Sequence, residues 1–188
     1  MARVLLHTCC GPCASACAPA LRDDGNAVAL FFSNSNIDTR EEFDRRLAAA
    51  RKLGEADGIE VIADTYDHDD WLEKVASGFE DCPERGERCA RCFRYSLSRA
   101  AAYAAAHGYD AFTTSLTVSP HKVSPMVFAA GRAACTLGAA ESPPVFLERD
   151  FKKKDGFLRS LKRSAELGLY RQSYCGCEFS LHRQSRIW

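Results

Sequence analysis

The chain has 188 residues, of which 46% are hydrophobic and 27% charged, and its 25 basic residues balance its 25 acidic ones. This composition is typical of a folded globular domain and excludes disordered and fibrous proteins. No apolar run approaches the roughly 20 residues that a membrane helix needs, so we expect no membrane partner. Because the net charge is zero, a nucleic-acid partner would have to be bound by a local basic patch.

Five short apolar runs predict strands, and they alternate with helical patterns along the chain. The runs are nearly continuous, which is typical of parallel strands covered on both faces. They span residues 4–7, 28–32, 59–62, 111–114 and 145–147. This order predicts one α/β domain over residues 1–188, a three-layer sandwich with a mostly parallel sheet. Residues 1–150 would form the sheet core, and residues 151–188 a basic helix and a cysteine-containing tail.

Helix signals are clearest in the middle of the chain. Thr39 and Glu42 form a capping-box pair ahead of an apolar face. Phe93 begins a second apolar stripe, which ends at Gly108. After the first strand, Pro19 predicts a helix that is short or kinked.

Two further helices are predicted near the C-terminus. Ser124 and Pro125 favour a helix start. The residues predicted to face inward from this helix, followed by its stop signal, are Val127, Ala130, Ala134, Leu137 and Gly138. The apolar residues that predict the last helix are Leu158, Leu161 and Ala165.

Ten cysteines are the unusual feature of the sequence. At about 5% of the chain they fall below the 8–10% of small disulfide scaffolds, and a chain of this length buries a core without crosslinks. The first residues lack a signal-peptide layout, so we expect the reducing cytosol as the compartment. We therefore expect the thiols to serve chemistry, except for Cys17, Cys82 and Cys135, which are predicted to be buried or half-buried apolar residues.

Two cysteine pairs supply four candidate thiolate ligands. Cys9 and Cys10 follow the first predicted strand, with Cys13 close behind, and parallel sheets bind ligands at the carboxyl ends of their strands. Cys89 and Cys92 form a Cys-x-x-Cys motif. Four thiolates fit either a closed zinc site or a [4Fe–4S] cluster, and the spacing does not separate the two.

Cys175 and Cys177 form a pair of another kind, separated only by Gly176. Two sulfurs this close along the chain can close only a small, strained ring. Strain makes a disulfide easier to reduce, which favours a redox-active pair. The alternatives are extra metal ligands or ordinary tail residues.

Seven blocks of sequence, in residues 5–13, 31–37, 88–93, 113–116, 119–122, 150–157 and 169–180, carry a resemblance to a known family. They include the Cys-Cys-Gly-Pro-Cys segment, the Cys-x-x-Cys motif and, in the last block, LYRQSYCGCEFS. Together they resemble the epoxyqueuosine reductase QueH family in the right order along nearly the whole chain.

The resemblance implies a HUP-type (adenine nucleotide α-hydrolase-like) α/β sandwich and an oxidoreductase activity. The implied reaction is the last step of tRNA queuosine biosynthesis, the reductive removal of the epoxide oxygen from epoxyqueuosine in the anticodon wobble position. The implied partners are tRNA carrying epoxyqueuosine and an electron donor that the sequence does not identify.

The resemblance also implies roles for individual cysteines. The implied ligands of a [4Fe–4S] cluster are Cys9, Cys10, Cys89 and Cys92. The implied redox-active pair is Cys175 and Cys177. A second metal, iron or zinc, is implied near the cluster, and Cys13 is its candidate ligand.

The most basic stretch of the sequence lies between residues 152 and 171. Its cations are Lys152, Lys153, Lys154, Arg159, Lys162, Arg163 and Arg171. We expect this stretch to contact the phosphate backbone of the tRNA.

Two other function classes stay open from the residues alone. A zinc-binding nucleic-acid module would be colourless, with one zinc per chain and no role for Cys175 or Cys177. A thiol–disulfide oxidoreductase would act without metal through the Cys-x-x-Cys motif. Metal analysis and a visible spectrum of anaerobically purified protein separate these classes.

Overall fold

The computed structural model describes residues 1–136 and 143–180. The strands are β1 (Arg3–His7), β2 (Ala27–Phe32), β3 (Val61–Ala63), β4 (Ala111–Thr114) and β5 (Val145–Phe146). The α-helices are α1 (Gly11–Asp23), α2 (Arg40–Asp57), α3 (His68–Trp71), α4 (Glu87–Ala106), α5 (Ser124–Cys135) and α6 (Gly156–Glu166). A π-helical turn (Leu72–Ala76) follows α3, and a 3-10 helix (Ser115–Val118) follows β4.

The five strands form one parallel sheet in the order β3-β2-β1-β4-β5. The chain therefore moves outward from β1 in one direction and then returns to add β4 on its other side. The loops that follow β1 and β4 part at this reversal, where doubly wound sheets place their ligands. The predicted α/β class and parallel sheet are confirmed.

Both faces of the central strand β1 are buried, as its continuous apolar sequence predicts. Val4 and Leu6 point into a cluster that includes residues of α1 and α2, whereas Leu5 points into a second cluster formed with α4 and α5. This alternation follows from the two-residue period of a strand. The sheet is therefore covered by helices on both sides, as in a three-layer sandwich.

The helix signals are largely confirmed. The Thr39 hydroxyl accepts the N–H of Glu42 at 3.2 Å and caps α2. Helix α4 buries the stripe that begins at Phe93, and Gly108 follows its end with φ of 67°. Helix α5 buries Val127, Ala130 and Ala134. The other two predicted positions, Leu137 and Gly138, lie outside the described residues.

Helix α6 exists where predicted, but the apolar residues that predicted it are not the residues that it buries. Its apolar residues Leu158, Leu161 and Ala165 are exposed, and its buried residues are Gly156, Ser160 and Ser164. These small residues recur every four positions and form a narrow face that lets α6 pack closely on α1. Close packing of small side chains thus determines the orientation of the helix.

Two predicted boundaries also change. The third strand begins at Val61, two residues later than predicted, and β5 ends at Phe146. Helix α1 runs through Pro19 and is 13 residues long.

In the described part of the chain, no helix combines the length and apolar character needed to span a membrane.

Asp64, just after β3, ties the edge of the sheet to a helix. Its carboxylate accepts a hydrogen bond from Ser33 and two from the guanidinium of Arg99 on α4. Burial disfavours the charge, but these hydrogen bonds outweigh burial and hold the pKa of Asp64 below its ordinary value. A carboxylate with a lowered pKa in the folded state stabilises the fold above its unfolded-state pKa.

We expect Asp64→Asn to lower the free energy of unfolding at pH 7 by about 1–2 kcal/mol, because charge-assisted hydrogen bonds are lost. The difference from the wild type should persist down to about pH 5 and shrink as the pH falls through the folded-state pKa. Urea denaturation between pH 3 and pH 7 measures it. Asp44→Asn, which breaks an exposed pair with Arg40, is the control and should change little. An equal Asp64→Asn effect at pH 3 and pH 7 would contradict the assignment.

Candidate active site

Three thiols lie together where β1 ends and α1 begins. Cys10 is the N-cap of α1, and its Sγ accepts the N–H of Cys13 at 3.4 Å. The cap turns the backbone out of the strand, so Cys9 and Cys10 no longer point to opposite sides. The Sγ atoms of Cys9, Cys10 and Cys13 all lie within 4.8 Å of one another.

A buried histidine at the end of β1, two residues before Cys9, joins three strands. His7 Nδ1 is hydrogen-bonded to Thr114 Oγ1 at the end of β4 (2.8 Å), and Nε2 to the Ser33 carbonyl after β2 (3.1 Å). Burial lowers the pKa of His7 to about 4, so the ring is neutral at physiological pH. The side-chain amide of Asn34 donates to the Thr8 carbonyl at 2.9 Å. The start of the cysteine segment is therefore held to its neighbours on both sides.

The three thiols perturb one another strongly. Hydrogen bonding with Cys10 raises the pKa of Cys9 and of Cys13, and the interaction with Cys13 is the main cause that lowers the pKa of Cys10. The Ser115 hydroxyl lies 3.2 Å from Cys9 Sγ, and Cys9 N–H donates to the same hydroxyl. Three thiolates this close together need a cation among them, which a metal centre provides.

The second cysteine pair opens helix α4. Cys89 and Cys92 are three residues apart and so share one face of the helix. The N–H of Arg85 donates to Cys89 Sγ at 3.3 Å. Cys92 packs against the cluster that contains Trp71, and burial raises its pKa. Both thiols belong to the first turns of the helix, where the dipole favours negative charge.

The Cys-Gly-Cys loop is held against helix α2 by a buried arginine. Arg46 on α2 is 2% exposed and pairs with Glu42 at 2.7 Å. Its other two nitrogens donate to the carbonyls of Cys175 (3.0 Å) and Tyr174 (3.4 Å). The Gly176 carbonyl in turn accepts the N–H of Asp38 at 2.9 Å.

These elements enclose a small cleft that brings four of the predicted site residues together. Its lining residues are Asn36, Trp71, Arg88, Cys89, Cys92, Phe93, Lys122, Cys175 and Cys177. Lys122 donates a hydrogen bond to Cys175 Sγ at 2.7 Å. Although burial disfavours its charge, the interactions with Cys175 raise the pKa of Lys122 above its ordinary value.

The cleft and the three-thiol group border the same apolar packing. Cys9 and Cys89 both pack against the cluster that includes Phe93 and Leu116. The side chain of Gln172, three residues before Cys175, interacts with Cys10. The C-terminal segment therefore runs past the first thiol group on its way to the cleft.

The remaining cysteines are placed as predicted. Cys17 is fully buried, and Cys82 and Cys135 are half-buried. Several residues that line or fix the site were not predicted. Trp71 and Arg46 carry no local motif. Lys122 lies in one of the blocks that carry the resemblance, but no role was predicted for it.

The sheet is parallel and doubly wound, and cysteine thiols cluster at its carboxyl edge. These two features define the class as α/β proteins with a thiol-based metal or redox centre. The family model described as "Epoxyqueuosine reductase QueH" matches residues 4–183. The chain belongs to the epoxyqueuosine reductase QueH family, whose members are named as oxidoreductases.

Its relatives match it over almost the whole of its length. A QueH of Acinetobacter baylyi is 34% identical over 185 residues, covering 98% of this chain and 83% of the relative. For the QueH of Dehalococcoides mccartyi the identity is 34% over 179 residues, with 95% and 92% covered. The QueH of Thermotoga maritima is 32% identical over 184 residues, with 96% and 91% covered.

A solved structure confirms the fold. It is the U34-tRNA thiolase NcsA from Methanococcus maripaludis with its [4Fe–4S] cluster, which superposes with a TM-score of 0.55 at 17% identity. The match covers 95% of this chain and 61% of the thiolase. At this identity the likeness concerns the fold alone.

Proposed function

We propose that this chain reduces epoxyqueuosine to queuosine in the wobble position of tRNA, with a [4Fe–4S] cluster and the dithiol of Cys175 and Cys177. The observation that carries the proposal is the cleft in which the Cys-x-x-Cys and Cys-Gly-Cys thiols lie side by side. Membership of the family over residues 4–183 supports the same reaction.

Iron–sulfur clusters take thiolate ligands. Cys9 and Cys10 lie together with Cys13, and we propose that they hold the cluster with Cys89 and Cys92, which line the cleft. Cys13 would bind the second metal, iron or zinc, because its Sγ lies within 4.8 Å of those of Cys9 and Cys10. Bound there, the metals supply one-electron transfer and a Lewis acid for an oxygen atom.

The dithiol can supply both electrons that the reaction needs. Removing an epoxide oxygen as water, to leave an alkene, takes two electrons and two protons. When Cys175 and Cys177 form a disulfide, their sulfurs release two electrons. An external dithiol, or another two-electron donor, then returns the disulfide to the reduced pair. The overall exchange is balanced, with one disulfide formed for each epoxide reduced.

The aromatic wall of the cleft is fixed in place. The rings of Trp71 and Phe93 line it, and both are buried, at 1% and 6% exposed. Arg88 is held in place because its guanidinium donates to three carbonyls of residues 79–82 and lies over the Phe179 ring. We propose that the modified base is turned out of the anticodon loop towards this cleft.

The tRNA backbone would be bound by the exposed part of the basic stretch. Lys152 is excluded from this role, because its ammonium donates to the Lys122 carbonyl at 2.9 Å and to Ser124 Oγ at 2.6 Å. Arg163 is paired with Asp57. The cations that remain exposed are Lys153, Lys154, Arg159, Lys162 and Arg171. Lys153 and Lys154 follow Lys152 directly and so lie near the loop of Lys122.

Cys177→Ser should retain iron and visible absorbance but lose turnover at least about a hundredfold, because the dithiol can no longer form. Metal analysis, the visible spectrum and queuosine formation with a chemical reductant measure the three properties. Cys135→Ser, on α5 outside the cleft, is the matched control and should keep all three. Full activity of Cys177→Ser would remove the dithiol from the mechanism.

Cys92→Ser should lose most of its iron, because a thiolate ligand is replaced by a hydroxyl that binds iron–sulfur clusters poorly. Iron content and absorbance of anaerobically purified protein provide the measurement, again beside Cys135→Ser. If the cluster absorbance were fully retained, Cys92 would not belong to the ligand set.

The double variant Lys153→Glu/Lys154→Glu should weaken tRNA binding by at least about tenfold at low salt and make it less dependent on salt, because fewer counterions are released. Filter binding at several salt concentrations measures this. Arg51→Glu, an exposed charge reversal on α2, is the control. Unchanged affinity at low salt would refute the proposed contact.

A further inference from the structure

The loop that follows β2, residues 33–38, is anchored on both sides of Asn36. Its other polar side chains form hydrogen bonds with neighbouring segments, and these are Ser33, Asn34, Ser35 and Asp38. The Asn34 amide donates to the Thr8 carbonyl at 2.9 Å, and Asp38 accepts the Tyr174 hydroxyl at 2.6 Å. The position of Asn36 is therefore fixed by its neighbours and not by its own side chain.

Asn36 itself is buried in the cleft without a partner. It is 9% exposed and belongs to the lining residues. Within residues 1–136 and 143–180, its side-chain amide makes no hydrogen bond. A buried amide without a partner gives up the hydrogen bonds that water would provide, so such groups are rare in native proteins unless a ligand serves them. The amide of Asn36 therefore points to a ligand in the cleft.

The amide lies beside the Cys-Gly-Cys pair. A Cβ on Gly176 would lie 2.9 Å from Asn36 Nδ2, so the amide nitrogen faces the residue that separates the two sulfurs. The N–H of Asp38 donates to the Gly176 carbonyl at 2.9 Å and holds the two loops together. A molecule that reaches the dithiol therefore comes within reach of this amide.

The cations of the cleft differ from Asn36 because they have partners within the chain. The guanidinium of Arg88 donates to three carbonyls of residues 79–82 and lies over the Phe179 ring. Lys122 donates to Cys175 Sγ at 2.7 Å. The Asn36 amide is the group whose hydrogen bonds remain available to an incoming ligand.

We propose that Asn36 is a specificity-determining residue whose side-chain amide donates a hydrogen bond to the epoxide-bearing group of the substrate and holds it beside Cys175 and Cys177. The inference rests on the proposed function for the identity of the substrate. An epoxide oxygen accepts hydrogen bonds and donates none, and a carboxamide supplies two N–H donors. The epoxide is the part of the substrate that must approach the dithiol. A tRNA without the modification would leave the amide unpaired, so the site discriminates against it.

The test is Asn36→Leu, which keeps the approximate shape of the side chain and removes the amide. In iron-loaded, full-length protein, kcat/KM for tRNA carrying epoxyqueuosine should fall about tenfold, the loss expected for one hydrogen bond. The affinity for the same tRNA without the modification, measured by filter binding, should stay unchanged. Iron content and visible absorbance should also be retained. The thermal unfolding midpoint of the substrate-free protein should not fall, because the amide has no partner in the described chain to lose.

Two further variants complete the test. Asn36→Ala removes the amide without the bulk of leucine and should lose kcat/KM to the same extent. Asn26→Leu is the matched control, because Asn26 lies at the other end of β2 and its amide donates to the Leu21 carbonyl at 2.9 Å. It should show the opposite pattern, with a lower unfolding midpoint and an unchanged kcat/KM.

Unchanged kcat/KM in both Asn36 variants would overturn the inference and leave the proposed function standing. A lower midpoint together with weaker binding of the unmodified tRNA in both variants would make Asn36 a structural residue and overturn the inference as well. Loss of iron or of visible absorbance would assign the amide to the cluster instead of the substrate. A wild-type protein that formed no queuosine would overturn the proposed function and, with it, the inference.

Discussion

The position of the C-terminal thiols depends on one buried ion pair. Arg46 and Glu42 lie one turn apart on α2, and both are almost fully buried. Removing either partner would leave an uncompensated charge in the interior, a change that typically costs about 3–5 kcal/mol. The two remaining nitrogens of Arg46 donate hydrogen bonds to the carbonyls of Cys175 and Tyr174. The Tyr170 hydroxyl also donates to Glu42. A chain segment remote in sequence is thereby drawn to the edge of the sheet.

Much of the architecture follows from local sequence. Near-continuous apolar runs predicted the strands because both faces of a parallel sheet are buried, and β1 shows this directly. Thr39 predicted the start of α2 because a hydroxyl at that position satisfies a free backbone N–H. The orientation of α6 was not predictable in the same way. Its apolar residues predicted the helix but not its buried face, which is formed by small residues such as Ser160 and Ser164 that allow close packing on α1.

The candidate site, too, was predictable from the sequence only in part. Cysteines are conspicuous in a sequence, and Cys9, Cys10 and Cys13 could be placed together at the sheet edge because they follow β1. The sequence did not show that Cys10 caps α1, which is how the backbone turns to bring the three sulfurs together. Lys122 could not be assigned a role from sequence alone. Its contact with Cys175 depends on how two distant loops meet across the sheet, and no periodic signal records such a meeting.

The glycine between the two C-terminal thiols is required by its neighbours. Gly176 has φ of 133°, and a Cβ there would approach Asn36 Nδ2 to 2.9 Å and Arg46 Nη1 to 3.2 Å. A bulkier residue would therefore lift the turn away from α2 and shift both sulfurs. The spacer therefore cannot be exchanged without moving both sulfurs, and the proposed redox role leaves the reduction potential to be adjusted by the side chains around the pair.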